Sequence, residues 1–220
     1  MPLLPVTPNR IYLFLDASSV QVQAGLWRDS HWLSIKSQES PALESIFSLV
    51  KSCLVEAKLK LEQVGGFIHC EGPGSVLGIR LAAMAIRSWQ ALPAWADAES
   101  LACRSLSLAA ALINATEQPE EPFHVIAEAR QTRWNLLTCP DGEIAEVEPE
   151  VIDALEAPIY HLRQRKSWHT PPERAVPVLN DLSAHPELLA SPGLLRSVEA
   201  PGLFLVNEAT YRTWTPERHR

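Results

Sequence analysis

The spacing of apolar and polar positions in the first part of the chain predicts three strands in close succession. Residues 11–15 form an uninterrupted apolar run, which is typical of a strand buried on both faces. Apolar and polar side chains alternate over residues 20–26, as in a strand with one buried face. A third strand over residues 31–36 completes a meander, and a short apolar run predicts a fourth strand over 67–70.

One helix is predicted before this fourth strand, over residues 41–63, and two are predicted after it, over residues 76–92 and 97–115. Ser40 is a candidate N-cap of the first helix, and Gly65 would end it. Apolar residues at helical spacing predict its buried face: Leu43, Ile46, Phe47, Val50, Cys53, Leu54, Ala57 and Leu61. The second helix is apolar or small around most of its circumference, so we expect it to be buried on more than one side.

A polar stretch with two prolines, residues 116–122, predicts a boundary between an N-terminal domain (1–118) and a smaller C-terminal domain (119–220). The elements predicted in the C-terminal domain are strands over 123–128 and 133–139, a helix over 149–155 and a late strand over 203–206. Beyond Pro158, repeated prolines interrupt the pattern of apolar and polar positions, so no structural element or function is assigned to residues 158–202.

Composition narrows the classes of function. The chain of 220 residues has a net charge of −7 and no basic face, which argues against tight, direct binding to nucleic acid. None of its four cysteines belongs to a CxxC pair, so a metal site and a disulfide framework are not predicted and a cytoplasmic location is expected. The N-terminal residues do not follow the pattern of a signal peptide. No apolar run approaches the ~20 residues of a membrane helix, so we expect no membrane association.

The clearest local motif is a Gly-Pro-Gly-Ser turn between a predicted strand and a predicted helix. Glycines let a ligand approach the backbone, and free N–H groups at a helix start attract anions. The candidate residues of such a phosphate-binding or nucleotide-binding loop are Gly72, Gly74, Ser75 and Gly78. The alternative is a plain strand-to-helix turn in which Ser75 is the N-cap. We favour the plain turn, and the phosphate-binding loop stays open.

Four segments resemble motifs of the TsaB/TsaD glycoprotease-like family. Residues 71–80, EGPGSVLGIR, resemble the signature GPGSFTGLR, and residues 13–18, LFLDAS, resemble the opening LAIDTS strand. Residues 127–130, AEAR, are similar to the IDAR that opens the second domain, and residues 209–212, ATYR, resemble the closing PxYLR. The segments occur in family order at roughly family spacing. The sequence departs from the family at Phe-Thr of the signature, which is Val-Leu here, and at the Asp of DAR, which is Glu128.

The resemblance implies a two-domain, actin-like ATPase fold (ribonuclease H-like), with mixed sheets flanked by helices. In ATP-using proteins of this fold, a carboxylate at the position of Asp16 organises metal and phosphate. The alternative is a structural role, in which Asp16 is a turn aspartate that accepts hydrogen bonds from backbone N–H groups. The catalytic TsaD branch carries an HxxxH metal motif, whereas no two of the seven histidines here are four residues apart. We therefore predict no catalytic residues and no metal ligands, and the TsaB (YeaZ) branch is favoured.

Membership of the TsaB branch implies a non-catalytic dimerisation subunit of the bacterial complex that makes threonylcarbamoyladenosine in tRNA. The chain would pair with a TsaD-like protein, assemble with a TsaE-like ATPase and contact tRNA only indirectly, through the complex. It would form a homodimer where TsaD is absent. No cofactor is required, with at most weak binding of ATP or ADP. The residues predicted at the partner interface are Leu49, Val55, Leu59, Ala82, Met84 and Ala85.

Two other functions stay open at this point. An ATP-dependent small-molecule kinase of the same fold would need a second phosphate loop, and the second half of the chain offers no counterpart to residues 72–75. A self-associating paralogue that has lost TsaD would use the same helices. Protease activity is not expected, because the sequence contains neither GxSxG nor HExxH.

Overall fold

Eleven strands form two sheets within the residues that this computed structural model describes, 5–167 and 169–206. The first sheet contains β1 (Tyr12–Asp16), β2 (Val22–Arg28), β3 (His31–Gln38), β4 (Gly66–Cys70), β5 (Glu99–Cys103) and the late β11 (Arg196–Ser197). The second contains β6 (Phe123–Glu128), β7 (Trp134–Cys139), β8 (Ala145–Val147), β9 (Ile159–Leu162) and β10 (Val176–Val178). The helices are α1 (Ala42–Ala57), α2 (Val76–Gln90), α3 (Ser105–Thr116) and α4 (Pro149–Asp153).

The two sheets repeat one topology. The first has the order β11-β5-β4-β1-β2-β3 and the second the order β10-β9-β6-β7-β8. In each, an antiparallel meander (β1-β2-β3 or β6-β7-β8) is extended on the other side of its first strand by two parallel strands. In the first sheet, β11 adds an antiparallel edge beyond them. This internal duplication is what the predicted actin-like α/β fold requires.

Helices α1 and α2 cover one face of the first sheet. Their inward side chains, such as Ile46 and Ile86, pack against Leu13, Leu15 and Phe67 of the strands. All five side chains are at most 2% exposed, and burial of each contributes roughly 1.5–3 kcal/mol relative to exposure. This core fixes both helices side by side on the sheet.

The opposite face of the first sheet is covered by the irregular segment 180–195. The indole N–H of Trp27 donates to the carbonyl of Pro186 at 2.8 Å, and that of Trp32 donates to the carbonyl of Leu182 at 2.7 Å. Part of the predicted C-terminal domain thus returns to the first sheet, which β11 also joins. The division into 1–118 and 119–220 stays a prediction.

The second sheet has fewer helices than the first. Helix α3 packs on one face, with Leu106 and Ile113 against Phe123 and Val125. On the other face, α4 occupies the place in chain order that α1 has in the first unit. No helix is described between β9 and β10, where the duplication would place a counterpart of α2.

The predicted helix over 97–115 is wrong. Its first part is β5, which pairs along its length with β4, from Gly66↔Glu99 to Cys70↔Cys103, and α3 begins only at Ser105. An apolar run that a helix could use becomes a buried strand because β4 offers a free edge.

Helix α1 ends at Ala57 rather than at residue 63. Lys58 adopts a left-handed conformation, with φ of 55°, and its N–H caps the helix. Ser40 is not the N-cap, since Pro41 holds that position and the Ser40 hydroxyl bonds to the hydroxyl of Ser45.

At the C-terminal end, the strand predicted over 203–206 is absent from the described residues. The segment 209–212 lies outside them. No helix of the described chain is long and apolar enough to span a bilayer.

Candidate functional site

The Gly-Pro-Gly-Ser loop lies at the carboxyl end of β4, beside the turn that follows β1. Ser75 is the N-cap of α2, as predicted, and its hydroxyl accepts the N–H of Gly78 at 3.4 Å. The N–H of Ser75 donates in turn to the carbonyl of Ser18 at 2.8 Å. The loop and the turn over residues 17–21 are therefore joined through their backbones.

Two glycines allow this contact. Gly74 has φ of +150°, and a Cβ atom there would lie 2.1 Å from the carbonyl oxygen of Ser18. A Cβ atom on Gly78 would lie 2.2 Å from the carbonyl oxygen of Ala17. Neither position can carry a side chain, because the obstacle in each case is backbone. The glycines thus serve close packing of α2 on the turn.

Asp16 lies at the base of this turn and is fully buried. One carboxylate oxygen accepts the N–H of Ser18 at 2.8 Å, which confirms the turn aspartate. The other, Oδ2, has no hydrogen-bond partner among the described residues, and the same is true of Oδ1 of the buried Asn180. Burial raises the pKa of the Asp16 carboxyl, because desolvation penalises its charged form.

The second structural unit closes the turn from the other side. The side-chain amide of Gln164 donates to the carbonyl of Ser18 at 3.2 Å, and the guanidinium of Arg165 donates to the carbonyl of Val20 at 2.9 Å. The N–H of Val20 donates to the carbonyl of Arg163 at 2.9 Å. The residues present therefore do not fit a nucleotide phosphate here, because the turn, the loop and the segment after β9 already bond to one another. The predicted weak binding of ATP or ADP stays untested.

A second candidate site is an apolar surface on α1 and α2. Its members are large apolar side chains that are more than half exposed. They are Leu43 (70%), Phe47 (59%) and Val55 (70%) of α1, and Leu77 (69%) and Met84 (56%) of α2, together called the α1–α2 face. The rings of Phe47 and Trp89 meet edge to face with centroids 6.0 Å apart, which joins the two helices at this surface.

Three of the predicted interface residues face the interior instead. Leu49 is 7% exposed, Ala82 is fully buried and Ala85 is 5% exposed. The two alanines lie in the core beneath α2, where their small size lets the helix approach the sheet. Val55 and Met84 are exposed as predicted, whereas Leu59 is half-buried against the core.

Leu43, Phe47 and Leu77 were not predicted at this surface. The first two were assigned to the buried face of α1, and Leu77 received no role. Their spacing carried a signal, since Leu43 and Phe47 are four residues apart and share a side of the helix. Whether these helices bind a partner stays a prediction. Within the described residues, no group of three or more His, Cys, Asp or Glu side chains could hold a metal ion.

No protein-family model and no curated protein matches this chain. Solved structures do. YeaZ from Pseudomonas aeruginosa aligns with a TM-score of 0.55 and 17% identity over 74% of this chain and 72% of that one. A protein described as uncharacterized, with similarity to peptidase YEAZ from Pseudomonas aeruginosa, aligns with a TM-score of 0.62 and 21% identity over 89% of this chain and 99% of that one.

The chain has the YeaZ fold. The actin-like α/β class expected from the motifs is thereby confirmed. A putative N-acetylmannosamine kinase from Listeria monocytogenes matches with a TM-score of only 0.36 over 61% of this chain, a likeness too slight to argue for kinase activity.

Proposed function

We propose that this chain is a non-catalytic docking subunit. It binds a TsaD-like protein through the α1–α2 face and so supports threonylcarbamoyl transfer to adenosine 37 of tRNA. The YeaZ fold and the motif resemblance support this assignment, and the α1–α2 face is the observation that carries it. Large apolar side chains exposed on two neighbouring helices are typical of a surface that binds a partner.

The physical case rests on what the exposed side chains would gain. Leu43, Phe47 and Val55 on one helix and Leu77 and Met84 on its neighbour are more than half exposed. Full burial of such a side chain contributes roughly 1.5–3 kcal/mol. Two adjacent helices docked on a similar pair can approach the roughly 1,200–2,000 Å² of a stable interface. Apolar anchors at the centre of such a contact dominate its affinity.

The absence of catalysis is proposed from the packing of the loop and turn. Ser75 and Val20 already use their backbone N–H groups within the protein, and Asp16 is enclosed. The kinase alternative would need these groups free. Self-association through the same face is the remaining alternative, and the experiment below separates it from pairing with TsaD. A TsaE-like partner, indirect contact with tRNA and a cytoplasmic location stay predictions.

The test is a charge placed in the α1–α2 face. Met84→Glu should weaken association with a TsaD-like protein by about 3–5 kcal/mol, because an unpaired carboxylate would be buried in the contact. Its thermal stability should stay close to that of the wild type, because Met84 is 56% exposed. Val151→Glu is the matched control, since Val151 is an exposed apolar residue (44%) on α4, outside the face.

Sedimentation velocity of the three proteins, each with and without a TsaD-like protein, gives the readout. A heterodimer that Met84→Glu abolishes and Val151→Glu retains supports the proposal. A homodimer with the same sensitivity, which TsaD does not displace, supports the self-associating paralogue. A wild-type chain that stays monomeric and ignores TsaD refutes both. Equal loss in the two variants refutes the assignment of the face.

A further inference from the structure

Residues 196–204, here called the strap, cross the carboxyl ends of β4 and β5 beside α2. The guanidinium Nε of Arg87 on α2 donates to the carbonyl of Pro201 at 2.8 Å. The N–H of Phe204 donates to the carbonyl of Glu71 at 2.8 Å. The strap is thus attached to a helix on one side and to the start of the Gly-Pro-Gly-Ser loop on the other.

Charged side chains also anchor the strap. Glu71 is only 4% exposed, and its two carboxylate oxygens lie 2.5 Å from nitrogens of Arg104 and Arg196. The guanidinium of Arg104 sits over the ring of Phe204, 3.2 Å from its centroid. These contacts hold both ends of the strap, because Arg196 begins it and Phe204 ends it.

Between these ends, the strap is attached to a buried histidine. His69, in β4, is fully buried. Its Nδ1 lies 3.1 Å from the carbonyl of Leu101, and its Nε2 lies 3.2 Å from the N–H of Gly202. A carbonyl can only accept, so Nδ1 carries the proton and Nε2 is the acceptor for Gly202. The contact therefore requires a neutral imidazole. A second proton would set an N–H on Nε2 against the N–H of Gly202.

We propose that the strap is a pH-sensitive latch in which protonation of His69 removes the acceptor for the Gly202 N–H and releases residues 199–204 from the sheet. The sheet itself would stay folded, because β4 is paired with β1 on one side and with β5 on the other. The strap, by contrast, is paired with β5 only through the two residues of β11 and through the N–H of Val198, which donates to the carbonyl of Ser100 at 2.9 Å.

The charges around the ring set the direction of the effect. Burial is the largest cause and lowers the pKa of His69, and the positive charge of Arg196 acts in the same direction, while Glu71 and the backbone groups of Leu101 and Gly202 oppose them. Arg104, paired with Glu71, and Arg87, bound to the strap, bring two further positive charges to this region. A lifted strap would return the imidazole toward its ordinary pKa of about 6.5.

The sign of the pH dependence follows from these two states. The open state binds a proton more tightly than the closed state, so a fall in pH below about 6.5 favours opening. Between the ordinary and the lowered pKa, one proton is taken up on opening. The opening equilibrium should then rise about tenfold for each pH unit.

Amide hydrogen exchange from pH 8 to pH 5, corrected for intrinsic rates, tests the latch in three proteins. In the wild type, protection of the Gly202 and Phe204 amides should fall about tenfold per pH unit below about 6.5. His69→Gln keeps an acceptor but cannot titrate, so its strap protection should not change with pH. His31→Gln, which removes an exposed histidine, should behave like the wild type. The Ile68 amide of β4 should stay protected throughout.

Three results would overturn the proposal. They are strap protection that stays constant in the wild type, an equal fall in His69→Gln, and loss of Ile68 protection together with the strap. If His69→Gln does not fold, imidazole NMR of the wild type decides, because the midpoint of His69 titration must coincide with the loss of Gly202 protection. Separate midpoints refute the latch.

Discussion

Replacement of Gly74 by alanine tests whether the Gly-Pro-Gly-Ser loop is built for packing. The new Cβ atom would lie 2.1 Å from the carbonyl oxygen of Ser18, and a normal contact requires a shift of more than about 1 Å. The φ of +150° adds strain, since side-chain-bearing residues rarely adopt it. Backbone strain costs about 1–3 kcal/mol, and overpacking costs a further ~1–3 kcal/mol. We expect Gly74→Ala to lower the free energy of unfolding by about 2–6 kcal/mol.

A thermal melt followed by circular dichroism gives the measurement. At roughly 2–4 °C per kcal/mol for a chain of this size, the melting temperature should fall by roughly 4–24 °C. Gly202→Ala is the matched control, because no atom lies within 4 Å of the Cβ position there, and its melting temperature should stay close to that of the wild type. A Gly74→Ala protein as stable as the control would refute the packing role. Loss of nucleotide binding in such a stable variant would restore the phosphate loop.

Two further predictions concern buried carboxylates. Asp16→Asn should be more stable than the wild type at pH 7, because burial penalises the charged carboxylate and the amide carries no charge. The difference in stability should disappear below about pH 3.9, where the unfolded wild type is also protonated. Urea unfolding of both proteins at the two pH values measures this difference. An Asp16→Asn protein less stable than the wild type at pH 7 would contradict the prediction. Glu71→Gln should lose about 1–3 kcal/mol of stability, because two partly exposed arginines lose their charged hydrogen-bond partner. Glu39→Gln, at an exposed ion pair of 3.8 Å, should lose less than ~1 kcal/mol, and equal losses would refute the anchoring role of Glu71.

The sequence predicted the first four strands because their patterns are local. The apolar run before Asp16 and the alternation over residues 20–26 each report burial directly. The strand β5 was missed because residues 99–115 are apolar enough to continue as one helix. Pairing with β4 decides the structure there, and pairing is a tertiary property that no window of sequence contains. The short strands β8, β9 and β10 were missed for the same reason.

The outward face of α1 could not be fixed from its periodicity. The helix has two apolar stripes, and the structure buries the one with Ile46 and Leu49 while it exposes the one with Leu43 and Phe47. A helical wheel finds both stripes but cannot tell which one meets the sheet. The neighbouring α2 supplies the missing information, since Trp89 occupies the space beside Phe47.

The loop and the α1–α2 face are linked through one helix, and this separates two kinds of variant. The start of α2 is fixed by backbone contact between Gly78 and Ala17. The carbonyl of Arg163, in the second unit, accepts the N–H of Val20 in the same turn. The second unit lacks a described counterpart of α2, so its contribution here is support for the helix rather than half of a nucleotide cleft. A substitution that disrupts these contacts should weaken docking only to the extent that it lowers the free energy of unfolding of this chain. Met84→Glu should weaken docking at unchanged stability. A plot of association energy against unfolding energy should therefore place Gly74→Ala on a common trend with other destabilised variants and Met84→Glu well off it. If both variants fell on one line, the face would have no role of its own in docking.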